Sequence, residues 1–213
     1  MVDIKRTKFN VSILGECIVG KTSICSVFLG NPFLETTIST VGIDNAFSTV
    51  KFDGEKYKFK IFDTAGQERY KSISKSTISL ADGFLLVFAV DDKKTFDILG
   101  EWIKSIKENC DISKKVLILV GNKIDIENRE VTKEEALSFA KDNNIKYFET
   151  SAKSGVGIKE IFNILFEDVY KKFREIEQLE KDENSKENKS PTITLDKKEL
   201  NKKQKKENKG GFC

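Results

Sequence analysis

Histidine is absent from this chain of 213 residues. That excludes histidine triads, histidine general bases and histidine metal sites. Four cysteines are present, Cys17, Cys25, Cys110 and Cys213. None forms a C-x-x-C pair and no zinc spacing appears, so free thiols in a reducing cytosol are expected. No stretch reaches the ~18 apolar residues of a spanning helix, and no signal-type apolar segment opens the chain. The expectation is a protein made and kept in the cytosol. What is present is 38% hydrophobic and 33% charged. That suffices for one domain of ordinary size plus a tail, provided the charge stays outside the core.

Against these absences one segment stands out. Gly15-Glu16-Cys17-Ile18-Val19-Gly20-Lys21-Thr22 fits G-x-x-x-x-G-K-[ST] without a gap. Residues 9–14 before it read as a strand, and residues 21–29 after it as the first turns of a helix. A loop in that position curls its backbone N–H groups around a phosphate, and the helix N-terminus adds its partial positive charge. The candidate phosphate-binding residues are Gly15, Cys17, Ile18, Val19, Gly20, Lys21, Thr22 and Ser23. Lys21 is placed to reach the β- and γ-phosphates, and the Thr22 hydroxyl to ligate Mg²⁺.

Three further segments refine the ligand. Asp63-Thr64-Ala65-Gly66-Gln67-Glu68 follows an alternating run at 58–62. A carboxylate at a strand end suits Mg²⁺, Gly66 brings a backbone N–H close to a γ-phosphate, and Gln67 is the candidate for orienting an attacking water. Asn122-Lys123-Ile124-Asp125 follows the apolar run 116–120. Asp125 is expected to accept from the N1–H and exocyclic amine of guanine, groups adenine does not offer. Ser151-Ala152-Lys153 follows the short strand 146–149 and is expected to meet the guanine O6, with Lys153 along the base.

These motifs, in this order and spacing over roughly residues 9–170, resemble the Ras superfamily of small GTPases and, within it, the Rab family. The resemblance implies an α/β P-loop NTPase fold, a small G domain with a six-stranded, mainly parallel sheet and helices on both faces. It assigns Thr40 as the threonine that binds Mg²⁺ and γ-phosphate in the triphosphate state, and Phe33 as the aromatic at the base edge. With Asn122, Lys123, Asp125, Ser151, Ala152 and Lys153, Phe33 completes the candidate guanine set. Thr22, Thr40 and Asp63 form the metal set, and Gln67 and Lys21 the catalytic pair. The implied activity is slow GTP hydrolysis by a membrane-traffic switch, with GTP or GDP and Mg²⁺ bound. The implied partners are an exchange factor, a GTPase-activating protein, an escort or dissociation inhibitor, and effectors. A monomer without nucleic-acid binding is expected.

The pattern elsewhere supports this organisation. Alternating strand and helix signals argue for a parallel sheet, with a hairpin of 45–53 and 56–63 around Asp53-Gly54 and a central strand at 83–90. The last helix begins near Gly157, with Ile158, Ile161, Phe162, Leu165, Val169, Phe173 and Ile176 as its core stripe. The G domain is expected over 1–180 and a disordered tail over 181–213. Residues 197–209 hold seven lysines and two glutamates, in a chain whose net charge is +3. Gly210-Gly211-Phe212-Cys213 then resembles a prenylated Rab terminus with one cysteine in place of the usual pair. A single lipid on Cys213 plus the basic segment is expected to give reversible attachment to the cytosolic face of an intracellular membrane.

Departures from the family pattern also carry expectations. Ile18 is β-branched and is expected at negative φ. Bulk at Cys17 and Ile18 is expected to crowd the γ-phosphate and hold turnover at or below the ~10⁻⁴ s⁻¹ scale. Asn45, Phe62 and the segment Thr77-Ile78-Ser79-Leu80-Ala81 replace residues by which Rab proteins are read. An alternative function is a non-cycling, guanine-nucleotide-bound interaction module, for which Cys17 and Ile18 are the sole support. An ATP-dependent transferase is opposed by the Asn122–Asp125 motif.

Overall fold

The structure is a computed structural model and describes residues 6–35, 43–64 and 71–187. Its first strand, β1 (Lys8–Leu14), runs into the glycine loop, and helix α1 (Lys21–Phe28) leaves it. Strands β2 (Ile43–Phe52) and β3 (Glu55–Thr64) form the expected hairpin, with β2 starting slightly earlier. Its turn is Asp53-Gly54, with φ of 49° and 81°. Two successive left-handed residues match the twist of the flanking strands, which is why Asp-Gly closes hairpins.

Helix α2 (Lys71–Leu80) precedes β4 (Gly83–Ala89), and α3 (Lys93–Asp97) and α4 (Leu99–Asn109) follow it. After a 3₁₀ turn at Ile112–Lys114 come β5 (Val116–Asn122), α5 (Lys133–Asp142), β6 (Lys146–Glu149) and α6 (Ile158–Glu187). The sheet order is β2-β3-β1-β4-β5-β6, and every pairing is parallel except β2 with β3. β4 lies in the interior and is buried along its whole length, as its apolar run predicts.

Helices cover both faces and divide the core. On one face, Ile24 and Cys25 of α1 and Ile161, Phe162, Leu165, Phe166 and Val169 of α6 pack on Phe9, Val11, Tyr57, Phe59, Ile61 and Val87. On the other, Ile78, Trp102, Ile103, Ile106, Ala136 and Ala140 pack on Phe84, Leu86, Phe88, Leu117 and Leu119. The helices after β1 and β4 therefore go to opposite faces. The crevice beyond the carboxyl ends of those two adjacent strands is where open α/β sheets bind ligands.

Of the α6 stripe read from the sequence, Ile158, Ile161, Phe162, Leu165 and Val169 are buried while Phe173 and Ile176 are half-buried, and the buried face is wider. Phe166 and Tyr170 join it: Phe166 stacks on Phe59 at 4.2 Å and Tyr170 on Phe52 at 4.7 Å. Phe28 stacks on Phe162 at 3.9 Å. The chain divides into two compact units, Met1–Ile176 and Glu177–Cys213. In the second, the described residues are helical, with Lys181 paired to Glu177 and Gln178 donating to Asp182. Helix therefore runs to Glu187, which corrects the expectation of a disordered tail beginning at residue 181.

Phe166→Ala leaves a cavity between α1, α6 and β3 and is expected to lower unfolding stability by about 3–5 kcal/mol in urea titration. Leu179→Ala, at a side chain that is 63% exposed, is expected to change it by no more than about 0.5 kcal/mol. Equal effects would contradict this packing.

Candidate functional site

The loop between β1 and α1 is shaped by three left-handed residues, Gly15 (φ 138°), Ile18 (φ 65°) and Gly20 (φ 95°). A Cβ on Gly15 would lie 2.1 Å from the Val87 carbonyl oxygen, and one on Gly20 2.4 Å from Asn122 Nδ2. The loop is thus pressed onto the ends of β4 and β5, and neither glycine has room for a side chain. Lys21 is 4% exposed, and its ammonium donates to the carbonyls of Gly15 and Glu16, both at 2.6 Å. No side chain caps the N-terminus of α1 and no acid lies in its first turn. The positive end of the helix is left for an external anion.

Ile18 corrects the expectation of negative φ. The turn imposed by its neighbours drives it into the left-handed region, and its side chain is 87% exposed. The backbone conformation is strained for a β-branched side chain.

Asp63, near the end of β3, is 3% exposed, and its Oδ1 has no hydrogen-bond partner among the described residues. Burial pushes its carboxyl up to about 6, opposed by a hydrogen bond from Thr22 and the charge of Lys21. A carboxylate held above its unfolded value of 3.8 costs stability once ionised. That cost is absent below pH 3.8 and full above about pH 6. A cation beside Asp63 and Thr22 offsets it, so the residues present fit a bound Mg²⁺. No group of three or more candidate ligands from His, Cys, Asp and Glu occurs among the described residues.

The other half of the site comes from the loops after β5 and β6. Asn122 is 1% exposed; its Nδ2 donates to the Val19 carbonyl at 2.8 Å. Its Oδ1 accepts from the Thr150 hydroxyl at 3.1 Å and the Ala152 amide at 3.2 Å. The sequence places Asn122 in the guanine set; the structure shows it joining three loops. Asp125 Oδ1 accepts from the Ser151 hydroxyl at 2.5 Å, and the Ser154 amide donates to the same Ser151 oxygen at 3.0 Å. The Asp125 carboxylate is exposed yet held from behind. Lys123, with φ of 69°, pairs with Asp91 at 3.2 Å, and Lys153 lies 3.5 Å from Glu35. Phe33 is half-buried against the α1–α6 core.

Gly15, Lys21, Thr22 and Asp63 thus converge at one end of the site, and Asp125, Ser151 and Ala152 at the other. Thr40, Gly66, Gln67 and Cys213 lie outside the described residues. The sequence reading did not single out Thr150, fully buried against Asn122, or the brace behind it, where Arg129 pairs with Glu149 and Tyr147 donates to the same carboxylate at 2.9 Å. Their positions beside a motif were the one available signal.

Thiol labelling checks the site's burial. Burial and the charges of Asp63 and Asp44 push the Cys25 thiol up to about 12, and the residue is 4% exposed. Cys17 is exposed in the loop. Iodoacetamide at about pH 8 is expected to modify Cys17 and spare Cys25 in folded protein. Equal rates by peptide mass spectrometry would contradict the placement of α1.

A model of the Ras family matches residues 10–171. The chain is 42% identical over 162 residues to Ras-related protein Rab-13 of Canis lupus familiaris, covering 76% of this chain and 79% of that one. It is 40% identical over 165 residues to Ras-related protein Rab-8 of Diplobatis ommata, covering 77% and 78%. To Ras-related protein Rab-8B of Homo sapiens it is 39% identical over 165 residues, covering 77% and 79%. The chain belongs to the Ras family of small GTPases, is most like its Rab members, and is a GTP-binding, GTP-hydrolysing switch of the vesicle-trafficking type.

Proposed function

We propose that this switch holds its nucleotide phosphates in residues 15–23 and its guanine between Asp125 and the Ser151-Ala152-Lys153 segment, with Phe33 at the base edge. The observation that carries the reading is the Lys21 ammonium inside a glycine-forced loop, at an uncapped helix N-terminus, tied through Asn122 to the Asp125 and Ser151 loops. Lys21 balances negative charge on the phosphates, Thr22 and Asp63 hold Mg²⁺, and Asp125 reads the base. Magnesium, when bound, neutralises charge on the phosphate oxygens. Thr40 and Gly66 complete the γ-phosphate contacts and Gln67 orients the water. Cys17 and Lys123 frame the two ends. The non-cycling alternative is not favoured, given the Ras family match and the Rab relatives.

Slow unassisted turnover calls for an activating protein, and tight product retention for an exchange factor. Effectors and a dissociation inhibitor complete the partner set. The G domain ends near residue 180, and residues 181–213 serve as its tail. No helix among the described residues is long and apolar enough to cross a membrane. Attachment to the cytosolic face of an internal membrane then rests on a single prenyl group at Cys213 and the lysines of 197–209.

Purified protein is expected to release GDP or GTP on denaturation, and added GTP, but not ATP, to displace it. Asp125→Asn is expected to shift preference toward xanthine nucleotides by about a hundredfold or more, because it reverses the hydrogen-bond demand on the base. Loss of all purine selectivity without that shift would contradict the role given to Asp125. For the tail, mass spectrometry of protein from its native cells is expected to show a prenylated terminal peptide. An unmodified peptide as the main species overturns the lipid assignment.

A further inference from the structure

Lys123 stands between the two halves of the site. It follows Asn122, whose amide meets the phosphate loop at Val19, and it precedes Asp125 by two residues. Its backbone has φ of 69°, a region that is costly for a residue with a side chain and persists where the surroundings fix it. Two backbone bonds help to fix it: the Ile126 amide donates to the Lys123 carbonyl at 3.1 Å, and the Ile124 amide to the Thr150 carbonyl at 3.2 Å. Neither holds the side chain, a flexible stem that loses much rotamer freedom when it is ordered.

Asp91 holds it. Its Oδ2 accepts from the Lys123 ammonium at 3.3 Å. Its Oδ1, buried and without a hydrogen bond among the described residues, lies 3.2 Å from the same charge. The Lys123 and Asp91 side chains are 27% and 24% exposed, so the pair escapes most of the screening that weakens surface pairs. Among the described residues the ammonium has no second ion-pair partner. Asp91 is itself tethered on both sides. Val90 before it donates to the Asn122 carbonyl at 3.0 Å and accepts from the amides of Glu130 and Val131 at 2.8 and 3.0 Å. Asp92 after it donates to the Ala89 carbonyl at 3.2 Å and caps α3 through its side chain. A carboxylate fixed by the end of β4 thus fixes a cation that would otherwise be mobile.

We propose that Asp91 is a positioning residue for nucleotide retention: it sets the Lys123 side chain along the nucleoside before the ligand arrives, and so slows release. The inference rests on the guanine-nucleotide reading of the site and adds to it a residue that lies outside all four sequence motifs. Ordering of the lysine is completed in the fold, so binding does not have to supply it, and a preorganised site holds its ligand more tightly. The sign of the effect separates this role from a purely electrostatic one. A carboxylate acting only by its charge in a polyphosphate site would repel the ligand, and its removal would slow release. A carboxylate acting through Lys123 has the opposite signature.

The test uses the full chain loaded with N-methylanthraniloyl-GDP and follows the fall in fluorescence as excess GDP displaces it. Asp91→Ala is expected to release the nucleotide about tenfold faster than the parent. Asp91→Asn keeps an oxygen that can accept from the ammonium, and is expected to stay within about threefold of the parent. The decisive comparison is a double-mutant cycle. In a Lys123→Met background, Asp91→Ala is expected to change the release rate by less than about twofold, because the residue through which it acts is gone. Equal release from the parent and Asp91→Ala overturns the proposal. So does slower release, which assigns Asp91 a repulsive role, and so does an equal acceleration with and without Lys123, which marks a general loosening of the turn. Release from Asp91→Asn as fast as from Asp91→Ala overturns it as well. Melting temperature checks folding, and Asp91→Ser, too short to reach the ammonium, repeats the cycle should the alanine variant fold poorly. A parent that retains no guanine nucleotide counts against the site; a parent that retains it, with release indifferent to Asp91, counts against this inference alone.

Discussion

The site depends on one buried amide. Asn122 ends β5, and its side chain reaches past the end of β4 to the loop that follows β1, while its oxygen holds the segment after β6. The Asp125–Ser151 hydrogen bond also joins the loops after β5 and β6, and Asn122 adds the link to the loop after β1. Removal of the amide strands the Val19 carbonyl, the Thr150 hydroxyl and the Ala152 amide in a site closed to water, where an unmet hydrogen bond costs more than a made one gains. Phosphate-side and base-side residues are therefore mechanically one piece, although they come from opposite halves of the chain.

The same compactness carries an electrostatic cost. Asp63 and Lys21 are charged groups withdrawn from water at the mouth of the loop. Lys21 donates to two carbonyls, while Asp63 keeps an oxygen without a hydrogen-bond partner among the described residues. A bound cation answers that deficit. Ligand binding and folding stability are consequently linked in this domain more closely than its apolar core alone would suggest.

What could be read from the sequence was local. Asp53-Gly54 announces its own turn, the run 83–90 announces a doubly buried strand, and the glycine loop carries its spacing with it. What could not be read depends on distant neighbours. The sign of φ at Ile18 is set by the packing of Gly15 against Val87 and of Gly20 against Asn122. The part played by Asn122 required knowing which loops meet it. Phe166 and Tyr170 lie beside the stripe read from periodicity, and their burial follows from the width of the aromatic layer beneath them. The alternation Lys56-Tyr57-Lys58-Phe59-Lys60 shows one charged face in the sequence itself. That none of the described helices packs on that face is a property of the topology.

Tyr170 has a consequence for where this chain can be cut. Its ring lies on Phe52 with an interplanar angle of 7°, and its hydroxyl donates to Asp53 in the hairpin turn at 2.6 Å. The hairpin, formed early in the chain, thus finds its roof in the last helix. A fragment stopped just before α6, after Lys153, keeps the six described strands and the candidate nucleotide-binding residues yet leaves the underside of β2 and β3 open to water. The smallest autonomous folding unit must extend through Tyr170, so during synthesis the sheet waits for its final helix before it can close.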